Sequence, residues 1–202
     1  MGEPKKICFK VSDINLEFED YQVKRNVDID GVIATIKKNS PVLVKELIRQ
    51  EWTFSFRNFN GQGEDITNVF FFVDVDERKI YFNNASYVDD EQLNHFVSYA
   101  IIYTCDYYLL RNSFAEHYLF EAMMVTYFSA FCEVAFDGVF KMCETFAMFG
   151  AYDDTLLIKF SYEYSSPYKF LYEAYALIVD ENESIKEKCP GLYEVIHKTY
   201  FE

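Results

Sequence analysis

The chain has 202 residues, of which 19 are basic and 33 acidic, so its formal net charge is −14. Half of the residues are hydrophobic and 19% are aromatic, which is enough for a packed core and excludes a wholly disordered chain. With only seven Gly and four Pro, the composition also excludes fibrous classes. No window of about 20 residues is apolar throughout, so we expect no membrane span.

The first residues and the cysteines predict a cytoplasmic protein. The apolar segment of a signal peptide is missing after Met1. The five cysteines are an odd number and have no short pairwise spacing, which argues against a disulfide framework. We therefore expect reduced thiols, most of them buried.

The negative charge is concentrated in one part of the sequence. Residues 1–60 hold ten basic and nine acidic side chains, whereas residues 61–202 hold nine basic and 24 acidic ones. Such a field repels phosphate groups, so we expect neither direct nucleic-acid binding nor membrane binding. It would attract a basic protein surface. The alternative interpretation is that the charge only keeps an aromatic-rich chain soluble.

The first part of the chain predicts strands and short helices. Alternating apolar residues indicate strands over residues 7–25, followed by helices over 31–38 and 41–50. The segment Trp52–Phe59 alternates cleanly, with Thr53, Ser55 and Arg57 on one side of a predicted strand.

A hairpin and then a series of helices follow. Residues 66–75 and 79–82 predict the hairpin, in which Phe70–Phe72 is either a strand buried on both faces or an edge. Residue 89 begins a helical pattern that continues to about residue 131, with a break at residues 111–113. Further helices are predicted over 139–149, over 167–179 and from residue 190, and residues 155–164 are predicted as a strand or loop.

Strands followed by helices predict an α+β fold. We expect an antiparallel β-rich part over residues 1–85 and a mainly helical part over residues 86–202. No linker rich in Gly, Pro or Ser separates them, so we expect the two parts to share one core in a single compact domain.

Catalytic signals are weak. Two Glu/His pairs have helical i,i+4 spacing, Glu91 with His95 and His117 with Glu121, and would suit a metal-dependent enzyme if they faced each other. Cys105 lies in an apolar stripe, where a thiol is inert. Nucleotide-binding loops are missing from the sequence. We therefore predict no catalytic residues, no metal ligands and no cofactor, and the metal enzyme stays an alternative.

Tyrosine and acidic residues alternate through the most acidic region. Tyr beside Asp or Glu can bind Lys and Arg of a partner through cation–π contacts and charge pairing. The alternative interpretation is that the rings form the edge of the core. The predicted partner-binding residues are Asp74, Asp76, Glu77, Asp89, Asp90, Glu91, Tyr87, Tyr99, Tyr103 and Tyr107.

One segment resembles a known family. Residues 108–121, with Leu109-Leu110-Arg111-Asn112 at their centre and Asp106 before them, resemble the helix 4–5 region of nuclear-receptor ligand-binding domains in their divergent nematode form. The resemblance implies a helical domain with an apolar pocket for a lipophilic ligand. Phe114, Tyr118 and Met123 would line that pocket.

Taken together, the patterns favour a non-enzymatic interaction protein. We expect an inhibitor that covers a basic surface of its partner, such as a nucleic-acid-binding surface, as immunity and anti-defence proteins of cells, viruses or phages do. The lipophilic-ligand-binding domain and the metal-dependent enzyme are the alternatives. The sequence leaves the oligomeric state open.

Overall fold

The computed structural model describes residues 6–59, 70–87, 89–110, 120, 122–127, 130–135 and 166–202. The chain divides into two compact units, Met1–Arg111 and Asn112–Glu202. The predicted division at residue 85 and the predicted shared core stay predictions. Among the described residues, no helix combines the length and the apolar character needed to cross a membrane.

The first unit contains a sheet and helices. Its strands are β1 (Ile7–Val11), β2 (Ile14–Phe18), β3 (Thr53–Arg57), β4 (Phe71–Asp74) and β5 (Lys79–Asn83). Its described helices are α1 (Tyr21–Asn26), α2 (Ile29–Lys38), α3 (Pro41–Arg49) and α4 (Asp90–Tyr103), and α4 continues into a π-helical segment, Thr104–Leu110.

These elements confirm most of the pattern read from residues 7–110, but one segment has a different conformation. Residues 21–25, predicted as a strand, belong to helix α1 instead. The carboxylate of Asp20 accepts a hydrogen bond from the Val23 backbone N–H at 2.8 Å, which caps the first turn of α1. This local cap decides the conformation of a segment that is too short to show a clear period.

The sheet has the strand order β1-β2-β3-β5-β4. Its outer pairs, β1 with β2 and β4 with β5, are antiparallel hairpins. The turn of the β1–β2 hairpin is formed by Ser12 and Asp13, which have φ of 50° and 70°. Its inner pairs, β2 with β3 and β3 with β5, are parallel. The α+β class is confirmed, but the antiparallel sheet predicted for residues 1–85 is wrong in its inner pairs. Helices α1–α3 carry the chain from the end of β2 to the start of β3, and such a connection allows these two strands to be parallel. Of the two alternatives for Phe70–Phe72, the structure shows the edge strand, β4.

One face of this sheet is a ladder of phenyl rings. Each strand contributes one ring, and the centroids of successive rings lie 5.1 to 6.3 Å apart. In sheet order the rings are those of Phe9, Phe18, Phe56, Phe82 and Phe71. Helices cover this face, since Ile36 of α2 and Leu47 of α3 line the same small cavity as Phe54. The ladder accounts for part of the aromatic content of the first unit.

The second unit is helical in its described residues. It contains α5 (Pro167–Val179), α6 (Glu183–Lys188) and α7 (Pro190–Tyr200), together with helical residues within 122–127 and 130–135. Helix α5 is buried on all sides from Phe170 onward, and both α5 and α7 confirm their predictions. The predicted break at 111–113, the helix at 139–149 and the segment at 155–164 lie outside the described residues.

Candidate protein-interaction surface

Three exposed carboxylates mark the start of helix α4. Asp89 is the N-cap residue, and its side chain accepts a hydrogen bond from the Gln92 backbone N–H at 2.8 Å. Asp90 and Glu91 follow in the first turn, and all three acids are exposed. The positive end of the helix dipole stabilises them there. The local sequence therefore fixes both the start of the helix and its charge.

The start of helix α2 brings two more acids to the same end of the first unit. A Cβ atom built on Gly31 of α2 would lie 3.5 Å from Nδ2 of Asn94 in α4. Further along both helices, the buried Asn39 side chain donates a hydrogen bond to Oγ of Ser98 at 3.1 Å. Asn39 follows Gly31 in the chain just as Ser98 follows Asn94, so α2 and α4 run alongside each other in the same direction.

The first turn of α2 therefore lies beside the second turn of α4, and the starts of the two neighbouring helices carry five exposed carboxylates. We call this surface the acidic helix end; it consists of Asp28, Asp30, Asp89, Asp90 and Glu91. The sequence interpretation included the last three among the binding residues and missed the first two, which it assigned to a turn or to the start of a helix. A usable signal was present, since Asp residues open both helices in a similar pattern.

Among the described residues, the acids of this surface have no cationic partner. The ion pairs formed between described residues of the first unit engage other carboxylates, namely those of Asp13, Glu17, Glu46 and Glu77. No described cation of the unit therefore neutralises the acidic helix end.

Two of the three acids of the β4–β5 turn form contacts within the hairpin. Asp74 accepts a hydrogen bond from the Glu77 backbone N–H at 2.9 Å. Glu77 accepts one from the Tyr81 hydroxyl at 2.6 Å and lies 3.2 Å from the Lys79 ammonium group. Asp76 is exposed. Of these three predicted residues, Asp76 is the one with its carboxylate open to a partner.

The predicted tyrosines divide into two groups. Tyr99 is 4% exposed and contacts Phe71, and the Tyr87 hydroxyl donates a hydrogen bond to the Phe70 carbonyl at 2.6 Å. Burial raises the pKa of Tyr87 well above its ordinary value. These two rings stabilise the interior of the first unit, as the alternative interpretation expected.

The other tyrosines form a cluster at the far end of α4. The rings of Tyr103 and Tyr107 stack at 5.8 Å, and the hydroxyls of Tyr103 and Tyr108 lie 3.2 Å apart. Tyr107 is 55% exposed. We call these three residues the tyrosine cluster. At 1.5 Å per residue it lies about 20 Å along the helix from Asp90, within the span of one ordinary interface.

The sheet face opposite the phenyl ladder carries a polar network that the sequence interpretation did not find. Glu17 is buried there, and its carboxylate accepts hydrogen bonds from Ser55 at 3.0 Å and Lys79 at 3.1 Å. Burial acts to raise the pKa of Glu17, but these hydrogen bonds and the charges of Lys79 and Lys6 outweigh it, so the pKa is lowered. Glu17 is therefore an acid fully neutralised inside its own unit.

Arg57 lies on the same face, against aromatic rings. Its guanidinium carbon is 3.8 Å from the centroid of Tyr81, 4.9 Å from that of Phe72 and 5.6 Å from that of Phe59. Burial, with the hydrogen bond to Glu77, raises the pKa of Tyr81 to about 12, so the phenol stays neutral. The sequence placed Arg57 on this side of β3, but the stacking depends on the register of β3 with β5.

The catalytic hypotheses gain no support in the described part of the chain. No three His, Cys, Asp or Glu side chains lie there in an arrangement that could hold a metal ion. The ring of His95 packs edge-on against Phe96, while His117 and Glu121 lie outside the described residues. Burial raises the pKa of the Cys105 thiol far above its ordinary value, and that thiol donates to the Leu43 carbonyl. Cys105 is thus a buried core residue, as expected.

No family model, no curated protein and no solved structure matches this chain. Of the pocket residues implied by the nuclear-receptor resemblance, Phe114 and Tyr118 lie outside the described residues, and the pocket stays a prediction. A function for this protein therefore has to be argued from its surfaces.

Proposed function

We propose that this protein is a non-catalytic inhibitor that binds a basic surface of a protein partner through the acidic helix end. The observation that supports it is that α2 packs against α4, with exposed carboxylates at the start of both helices. Among the described residues, no cation pairs with these carboxylates. A partner surface rich in Lys and Arg would supply the missing cations.

In the proposed complex, the two ends of helix α4 would contribute in different ways to binding. The acids would steer the encounter and suppress binding of anionic molecules, including nucleic acids. The tyrosine cluster would supply apolar contact area, because an exposed Tyr ring is an effective anchor in an interface. Covering a nucleic-acid-binding surface would inhibit the partner without any cofactor, as immunity and anti-defence proteins do.

We place this activity in the cytoplasm. The thiols of Cys8, Cys105, Cys132 and Cys189 are unpaired, and reduced thiols persist in that compartment. The lipophilic-ligand-binding domain and the metal-dependent enzyme stay open alternatives, and no particular contact of the described residues favours either.

The proposal can be tested by affinity capture with a patch variant, Asp30→Asn/Asp90→Asn/Glu91→Gln. These three acids are exposed and make no hydrogen bond that caps a helix, so the variant keeps the caps at Asp89 and at the other helices. The wild-type chain should recover a basic protein from extracts of the source cells, and the patch variant should lose it.

The matched control neutralises three exposed acids of the second unit, Glu183→Gln/Glu187→Gln/Glu194→Gln. It changes the net charge by the same amount as the patch variant. The control should recover the partner as the wild type does. Equal recovery by the patch variant, or a partner with no excess of Lys and Arg, contradicts the proposal.

A further inference from the structure

Arg57 differs from the other cations on the polar face of the sheet. Lys6 and Lys79 both pair with the Glu17 carboxylate, and Lys10 pairs with Asp13 at 3.7 Å. Among the described residues, Arg57 forms no ion pair, and its Nε atom has no hydrogen-bond partner. A half-buried guanidinium with no carboxylate partner in the described part of so acidic a chain is an unusual feature.

The geometry of the stack determines where an anion could bind. A guanidinium has its N–H donors in one plane, and stacking on a ring leaves those in-plane donors uncovered. The Nε atom of Arg57 is shielded from solvent and has no partner, whereas the terminal nitrogens are not shielded in this way. The terminal nitrogens of Arg57 are therefore the donors that an anion can reach, and its guanidinium carbon lies 3.8 Å from the Tyr81 ring centroid.

The neighbouring groups hold this arrangement in place. The Tyr81 hydroxyl donates to Glu77, which fixes the ring beneath Arg57. Lys79 is engaged by both Glu17 and Glu77, so it does not compete for an anion. Among the described residues of this face, Arg57 is therefore the cation that an approaching anion would find without an ion pair.

We propose that Arg57 is the anchor of a binding site for a small carboxylate carried on an aromatic or other apolar body. The two oxygens of a carboxylate match the forked end of a guanidinium in spacing and in plane. Phe59 and Phe72 flank the guanidinium, contact each other edge-on at 5.2 Å and are only partly buried. Their rings offer apolar contact to the rest of the ligand, which favours such a carboxylate over a bare inorganic anion.

The site can be tested on the full chain with benzoate as the probe. The readout is the Nε–Hε cross-peak of Arg57 in an NMR spectrum, assigned by its loss in Arg57→Lys. Benzoate should shift this peak saturably in the millimolar range. Benzamide, which has the same shape without the charge, should not shift it, and acetate should bind about tenfold more weakly because it lacks the ring.

Two variants separate binding from folding. Arg57→Lys keeps the charge but not the fork, and benzoate shifts of the neighbouring backbone amides should require about tenfold more benzoate in it. Arg78→Lys changes an exposed arginine whose Nη1 donates to the Gln50 carbonyl, and it should bind benzoate as the wild type does. Unsaturable shifts, equal affinity in Arg57→Lys, or tighter binding of phosphate than of benzoate would overturn the proposal.

Discussion

Glu17 and the acidic helix end show two different ways of placing a carboxylate in the same unit. Glu17 is 8% exposed on the sheet face, where Lys6, Ser55 and Lys79 all contact it. Asp90 and Glu91 are exposed, and among the described residues no cation pairs with them. The contacts of Glu17 stabilise the folded unit, because breaking them leaves partly buried charges unpaired.

This contrast separates acids that stabilise the unit from acids that a partner could bind. A carboxylate that is already neutralised by its own chain gains little from a partner, whereas one held only by a helix dipole can pair with an incoming cation. The comparison predicts that substitutions at Glu17 change stability, whereas substitutions at the acidic helix end change binding.

The largest expected effect is that of Glu17→Ala. It leaves Lys79 with Glu77 as its remaining carboxylate and should lower the free energy of unfolding by about 2 kcal/mol. Urea unfolding followed by Trp52 fluorescence measures this, because Trp52 is the single tryptophan and is buried in the first unit. Glu17→Met/Lys79→Met, which removes both charges, should cost less than Glu17→Ala alone. A loss below about 0.5 kcal/mol in Glu17→Ala contradicts the account.

The same carboxylate predicts a pH dependence. Its pKa is lowered from an ordinary value of 4.5, so its stabilising effect is complete above pH 4.5 and is lost as the pH falls through the folded-state pKa. The difference in unfolding free energy between wild type and Glu17→Gln should therefore be largest near neutral pH and shrink below about pH 4.5. A difference that stays constant down to about pH 3 contradicts the pairing.

An intermediate effect is expected for the cap of α4. Asp89→Ala removes the hydrogen bond to the Gln92 backbone N–H and should cost about 1 kcal/mol of unfolding free energy. Asp90→Ala is its matched control, since Asp90 has the same charge without a cap bond, and it should cost less than about 0.5 kcal/mol. Equal losses in the two variants would show that charge, and not the cap, stabilises this helix.

The smallest effect on stability is expected for the patch variant, Asp30→Asn/Asp90→Asn/Glu91→Gln. Its loss of dipole interactions is offset by relief of repulsion between neighbouring carboxylates, so the free energy of unfolding should change by less than about 0.5 kcal/mol. The Trp52 unfolding assay checks this. A larger loss of unfolding free energy would show that these acids, like Glu17, stabilise the fold.

Local pattern predicted most of the fold, because the deciding interactions lie within single elements. The alternation in β1 and β2 and the apolar stripe of Pro167–Val179 both gave the observed elements. The strand predicted over residues 21–25 was wrong, because a side-chain cap at Asp20 overrides the local alternation and starts helix α1. The parallel pairing of the inner strands depends on contacts distant in sequence, which no local pattern encodes.

The candidate surfaces were less predictable for the same reason. The acids at the start of α4 could be chosen from sequence because a capping pattern is local. That Asp28 and Asp30 join them depends on how α2 packs against α4 near Asn94. The stack of Arg57 on Tyr81 likewise depends on the register between β3 and β5.

The most direct test of the central claim is the dissociation constant of the partner complex, measured for the wild type, the patch variant and the matched control in the same buffer. The account predicts at least about tenfold weaker binding for the patch variant and less than about twofold weaker binding for the control. Equal affinities in the patch variant and the wild type would contradict the assignment of the acidic helix end as the binding surface.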